Sequence, residues 1–150
     1  IVTIYWIGFS SLKQPTIFQE EQIETEIIEE KELTKIEIEI FQIVEESMKV
    51  DALYKNENLN LSDLALHLNK NEKTLSRIIN IATKDNFYHY INSYRICFFK
   101  QLLDEKQKTN LTLFGLAQEC GFKTKSTFYT AFKKAEDCTP NEWLQKNKSE

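Results

Sequence analysis

One segment of this chain occurs twice, and that repeat constrains the fold more than any other feature. Residues 61–80 read LSDLALHLNKNEKTLSRIIN, and residues 111–134 read LTLFGLAQECGFKTKSTFYTAFKK. Each copy holds a Leu-Ala pair, Leu64-Ala65 and Leu116-Ala117, and four positions beyond the Ala stands a residue suited to a left-handed backbone, Asn69 and Gly121. A second stretch then opens with small polar and basic residues. Its apolar residues are Leu75 and Ile79 in the first copy and Phe128 and Phe132 in the second, which carries one extra residue in its turn. Two short helices joined by a sharp turn account for every part of this pattern. The Ala lets the helices cross closely, the turn residue takes positive φ, and the apolar pair buries the back of the second helix. Its polar front is left outside, where it can enter a DNA major groove. A single hairpin of this kind says little; a second one 52 residues along the chain says much more.

A longer helix is predicted between the copies, over residues 86–106, with Phe87, Tyr90, Ile91, Tyr94, Phe98 and Leu102 inward at spacings of mostly three and four. Its stretch 87–104 would span roughly 27 Å, close to the ~34 Å between groove faces one turn apart, so it could hold two reading helices in successive grooves. Ser62 with Asp63 is expected to open the first helix of the first copy, and Asn71 to cap the second. In the second copy the caps are Asn110 or Thr112, then Thr124 or Ser126, and Pro140 starts a last short helix through Trp143. Three Gly and two Pro in 150 residues are too few for the tight turns of an all-β fold. The expected class is therefore all-α: two helix-turn-helix lobes joined by a long linker helix, preceded by an acidic helical spacer and an apolar N-terminal segment.

Charge divides the chain in the same place. Residues 1–50 hold four Lys against eleven Glu, a charge of −7, while residues 51–150 hold fifteen Lys and Arg against twelve Asp and Glu, a charge of +3. An acidic front and a basic back suggest a polyanion-binding half, although a charge of +3 is also common in solvated helical domains. Residues 1–12, IVTIYWIGFSSL, are too short to span a bilayer, yet Tyr5 and Trp6 are of the types favoured at its interface. They read as the end of a transmembrane helix, the competing reading being an apolar strand or helix packed on the domain. Residues 13–50 read as an acidic linker and helix. That helix is predicted from near Leu33 to residue 55 on Ile36, Ile40, Ile43, Val44, Met48 and Leu53, although the alternation Ile36-Ile38-Ile40 also fits a strand.

The segments NFYHYINSYR (86–95), LAQECGF (116–122), STFYTAFKK (126–134) and TPNEW (139–143) carry a resemblance: residues 51–145 are similar to the DNA-binding domain of the AraC/XylS family of bacterial transcription regulators. The resemblance covers about two-thirds of the chain. It implies an all-α domain, 51–150, with one reading helix per lobe, monomeric at each site, bound to double-stranded DNA and working with RNA polymerase. The acidic spacer behind an apolar segment resembles membrane-anchored members, which implies a place on the cytoplasmic face of the bacterial inner membrane, the alternative being the cytoplasm. The chain departs from the family's pattern in three places. Asp137 stands where a Gly usually precedes the x-[ST]-P step, Asp85 lies where the loop before the linker helix often has Gly, and Trp143-Leu144 replaces a usual Tyr-Arg.

The residues expected to touch DNA follow from the exposed side of each second helix. In the first copy they are Lys73, Thr74, Ser76 and Arg77, with Lys73 and Arg77 on one face and Arg able to bond a guanine edge with two donors. In the second they are Lys125, Ser126, Thr127, Tyr129 and Thr130, with Lys123, Lys133 and Lys134 as phosphate contacts or solvated charge. His67 and His89 have no carboxylate or Cys at ligand spacing, and Cys97, Cys120 and Cys138 form no CxxC pair, so no metal site, cofactor or catalytic centre is expected. The Cys residues read as small buried hydrophobes. The competing function is a helical protein-interaction module without DNA binding, with a homodimer formed through residues 33–55.

Overall fold

The structure, a computed structural model, describes residues 32–105 and 111–147. Residues 1–12, read as the end of a membrane helix, and the spacer as far as residue 31 lie outside the described residues. Among those described, the chain is helical and carries no strand, as the composition and repeat predicted. The helices are α1 (Lys35–Lys49), α2 (Leu61–His67), α3 (Glu72–Thr83), α4 (Phe87–Glu105), α5 (Leu113–Glu119), α6 (Lys125–Glu136) and α7 (Pro140–Asn147), with one 3-10 turn at Leu53–Lys55.

The repeat is reproduced element by element. The first helices, α2 and α5, have seven residues each, and the second helices, α3 and α6, have twelve. Each is opened by a side chain that accepts an orphan N–H of the first turn: Asn60 from Asp63, Thr112 from Gly115, Asn71 from Thr74, Thr124 from Thr127. Ser62 was expected to open α2, but it already lies inside the first turn and its hydroxyl donates to Glu72 instead. The turns pivot on Asn69 at φ 51° and Gly121 at φ 92°. The second helices end on a second matched pair of left-handed residues, Lys84 at 56° and Asp137 at 54°. The residue that takes the strained conformation before the linker helix is thus Lys84, not the adjacent Asp85.

The long acidic helix predicted to residue 55 ends at Lys49. Thr34 and Glu37 start it as a capping box, and its continuation stops where Ala52 adopts a left-handed backbone, φ 50°, before the 3-10 turn. Nor is α1 a detached spacer. Val44 and Met48 are fully buried and pack with Leu64, Leu75, Ile79 and Tyr90. A second apolar cluster gathers Ile96, Phe99, Phe122, Phe128 and Phe132, with Trp143 of α7 against it. Helix α4 serves both: Phe87, Tyr90 and Ile91 at its start enter the first core, while Ile96, Phe99 and Leu102 at its end enter the second. This explains why a single inward stripe through Phe98 was misplaced. Phe98 is half-buried against Tyr54, and Phe99 is the fully buried residue. A helix that feeds two cores from different sides shows no single period.

Candidate nucleic-acid interface

On α3, the fully buried Leu75, Ile78 and Ile79 fix the inner side. Lys73, Thr74 and Arg77 are exposed and Ser76 is half-buried. On α6, Phe128 and Phe132 have no exposure, while Lys125, Ser126, Thr127 and Thr130 are exposed and Tyr129 is half-buried. The sequence thus placed the buried residues of both helices, while Ser76 and Tyr129 are less exposed than expected. Lys125 leans over its i+4 neighbour, with Nζ 5.5 Å from the Tyr129 ring centroid, a cation–π contact across one helical turn. The Thr127 hydroxyl lies 2.9 Å from that of Thr124 and is engaged at the helix cap.

Three of the basic residues do something the sequence did not reveal. Arg77 is paired with Glu37 of α1. Lys123, which precedes α6, donates to the Asn58 side chain at 3.0 Å and so ties the second hairpin to the loop before the first. Lys134 donates to Asp85 at 2.8 Å, and His89 Nδ1 lies 2.6 Å from the other Asp85 oxygen. These bonds, the hydrogen bond from Lys134 foremost, hold the Asp85 carboxyl down at about 2. Asp85 thus joins the end of α6 to the start of α4.

Arg95 makes the deepest tie. It is 8% exposed, and its Nε and Nη2 donate to the backbone carbonyls of Tyr54 at 2.7 Å and Asn56 at 2.9 Å. Burial pushes this guanidinium below its ordinary value, and both carbonyls supply the partners that a buried cation requires. Above it, the turn of the second hairpin rests on the same backbone. A Cβ at Gly121 would stand 2.5 Å from the Tyr54 carbonyl oxygen and 2.8 Å from that of Lys55. The lobes are therefore joined by backbone contact and a buried cation as well as by the linker helix. Asn58, Asp85, His89 and Arg95 form this framework, while Glu37 ties α1 to α3 within the first lobe. Apart from the i,i+4 pair of Asp85 and His89, their long-range partners lie 39 to 65 positions away, and no local pattern marks those.

The remaining chemistry-bearing residues are scattered. Among the described residues no three His, Cys, Asp or Glu side chains gather as a metal site. Cys120 and Cys138 are buried as expected, but Cys97 is exposed. No helix among the described residues is long and apolar enough to cross a membrane.

Residues 64–146, more than half of the chain, match the family described as "Helix-turn-helix domain". The chain belongs to the AraC-type helix-turn-helix family. Its family and fold are those of DNA-binding transcription regulators rather than of enzymes. Over 115 residues, or 67% of this chain, it is 29% identical to the "Uncharacterized HTH-type transcriptional regulator YtdP" of Bacillus subtilis (strain 168), and the matched part is 14% of that protein. Among solved structures it is similar to the C-terminal domain of AraT, a response regulator from Geobacillus stearothermophilus. The TM-score is 0.57 at 27% identity, over 77% of this chain and 88% of that one. It is also similar to the C-terminal domain of the two-component response regulator yesN from Fusobacterium nucleatum, with a TM-score of 0.53 at 27% identity, over 73% of this chain and 98% of that one.

Proposed function

We propose that residues 51–150 bind double-stranded DNA in a sequence-specific manner and thereby regulate transcription, with α3 and α6 reading two successive major grooves. The observation that carries this reading is the matched pair: two twelve-residue helices, each buried by two or three apolar residues and each leaving a polar, partly basic side outside. Lys73, Thr74, Ser76 and Arg77 are the proposed contacts of the first lobe. Lys125, Ser126, Thr127, Tyr129 and Thr130 are those of the second, with Lys123 and Lys133 nearest the phosphates. Basic side chains neutralise phosphates and fix the register, while Arg77 bonds a guanine edge with two donors. A binding titration on duplex DNA tests this. With about six phosphates neutralised, log affinity falls with log salt at a slope near −5, and a flat response overturns the reading. Arg77→Ala is expected to cost about 1–3 kcal/mol on a preferred duplex and little on random DNA.

The rest of the proposal concerns the chain's setting. Ile36, Ile43 and Val50, spaced by seven residues, are 69%, 44% and 73% exposed, and this outer stripe supports pairing of two copies through residues 33–55. Sedimentation across a concentration series tests it, a monomer throughout being the contrary result. Action with RNA polymerase and attachment to the cytoplasmic face of the inner membrane through residues 1–12 complete the proposal. Fractionation of the full-length protein tests the latter, and recovery wholly in the soluble fraction would end it.

A further inference from the structure

Arg77 does not reach the outer surface of α3 unassisted. The Glu37 carboxylate that pairs with it is held from both sides: one oxygen accepts the Thr34 N–H at 2.9 Å, closing the capping box of α1, and the other faces the Arg77 Nη2. The Glu37 side chain is 16% exposed, whereas that of Arg77 is 44% exposed. The burial is thus unequal. The carboxylate is the more covered partner and is doubly bonded, and the Arg77 side chain, with Nη2 on it, is the more exposed one. Pulling Arg77 away would leave a largely buried carboxylate without its cation, which is costly, while leaving it in place still offers the remaining N–H groups outward.

We propose that Glu37 is a positioning residue for base recognition: it clamps Arg77 from behind and aims the free edge of the guanidinium at the base pair that α3 reads. This rests on the proposed function, in which Arg77 contacts a base. A free Arg side chain loses much rotamer freedom when it binds, and a fixed carboxylate behind it removes most of that loss before DNA arrives. The inference makes α1, which lies before the family-matched residues 64–146, a working part of the first reading unit. It also gives the acidic segment before the domain a direct mechanical link to one base contact.

The test begins by selecting duplexes with the wild-type chain from a library randomised over about two helical turns. Affinity for the selected duplex is then compared with affinity for the unselected library, and the ratio is followed through a double-mutant cycle of Glu37→Gln and Arg77→Ala. Gln at this position still accepts the Thr34 N–H, so α1 keeps its cap. Removing a negative charge near DNA strengthens binding to both duplexes alike and cancels in the ratio. The expected result is a ratio lowered about tenfold by Glu37→Gln, with base preference lost at one position. Arg77→Ala should then remove little more in the Gln background. Thr34→Ala is the companion variant: it lowers the melting temperature by removing the cap and leaves the ratio intact, because the carboxylate stays on Arg77. A ratio unchanged or raised by Glu37→Gln, or a ratio that falls equally with Thr34→Ala, overturns the inference while leaving DNA binding in place. A wild-type chain that enriches no duplex overturns the proposed function itself, and this inference with it.

Discussion

The two lobes share helix lengths, cap positions and left-handed turns, yet they are completed in opposite ways. The first borrows α1 from before the repeat and builds its core mainly from aliphatic residues, Val44, Leu75 and Ile79 among them, with Met48 and with Phe87 and Tyr90 of α4. The second borrows α7 from after the repeat and fills its core with rings: Phe99 lies 4.8 Å from Phe128, and Phe122 5.3 Å from it. A seven- and a twelve-residue helix cannot enclose a core alone, so each hairpin needs half of α4 and one outer helix. Their electrostatics differ as well. In the first lobe Arg77 of α3 is held by an acidic residue, and in the second the exposed Lys125 and Lys133 are accompanied by a cation, Lys134, that serves the lobe junction. A duplicated motif thus has one frame but two divisions of labour.

The largest effects should come from the cores. Phe128→Ala is expected to lose about 3–5 kcal/mol, because it removes the ring at the centre of the aromatic cluster. Met48→Ala is expected to lose about 2–5 kcal/mol, which separates an integral α1 from a detached spacer. Denaturant unfolding measures both, and a silent Met48→Ala would break the symmetry drawn between α1 and α7. Next comes the junction. Gly121→Ala places a Cβ against two carbonyl oxygens at positive φ, so a loss of about 2–4 kcal/mol is expected. At the matching turn of the first lobe, Asn69→Gly should be neutral or gain up to about 1 kcal/mol, since the side chain there carries only the left-handed penalty. A loss at Gly121 no larger than the gain at Asn69 would mean that Gly121 is required for its backbone angle alone.

A smaller effect is expected from the Asp85 bridge. Its carboxyl is held at about 2 in the folded chain against an ordinary 3.8, so the unfolded chain binds the proton more readily. The stabilisation is therefore complete above about pH 4 and is lost as the pH falls through 2. Asp85→Asn should lower stability at neutral pH by at most about 1 kcal/mol, because the group is a third exposed and screened by solvent. It should also flatten the fall in melting temperature between pH 4 and 2. An unchanged acid profile would remove the bridge from the account.

How much of this was legible beforehand follows the range of each interaction. The repeat, the turns at Asn69 and Gly121 and the buried pairs Leu75/Ile79 and Phe128/Phe132 are local patterns, and the sequence displayed them. The caps were harder. Ser62 and Asn60 are both suitable residues, and only the start of the helix decides between them. The break at Ala52 carried no Gly or Pro to announce it, and Phe99 was hidden because α4 changes the core it serves partway along. The long-range pairs within and between the lobes were not legible. Glu37 with Arg77, Tyr54 with Arg95, Asn58 with Lys123 and Asp85 with Lys134 are pairs brought together by the fold alone. Consequently three of the cations read as DNA contacts, Arg77, Lys123 and Lys134, have a partner within the protein that only the structure reveals.

The central claim is that two reading helices are held rigidly at one separation for successive grooves. It is tested most directly by inserting about five base pairs, half a helical turn, between the two half-sites of a selected duplex and measuring affinity. The account predicts a loss of at least about tenfold, to the level of a duplex that carries one half-site, because the junction at Gly121 and Arg95 cannot follow the displaced groove. Unchanged affinity on the lengthened duplex would contradict it.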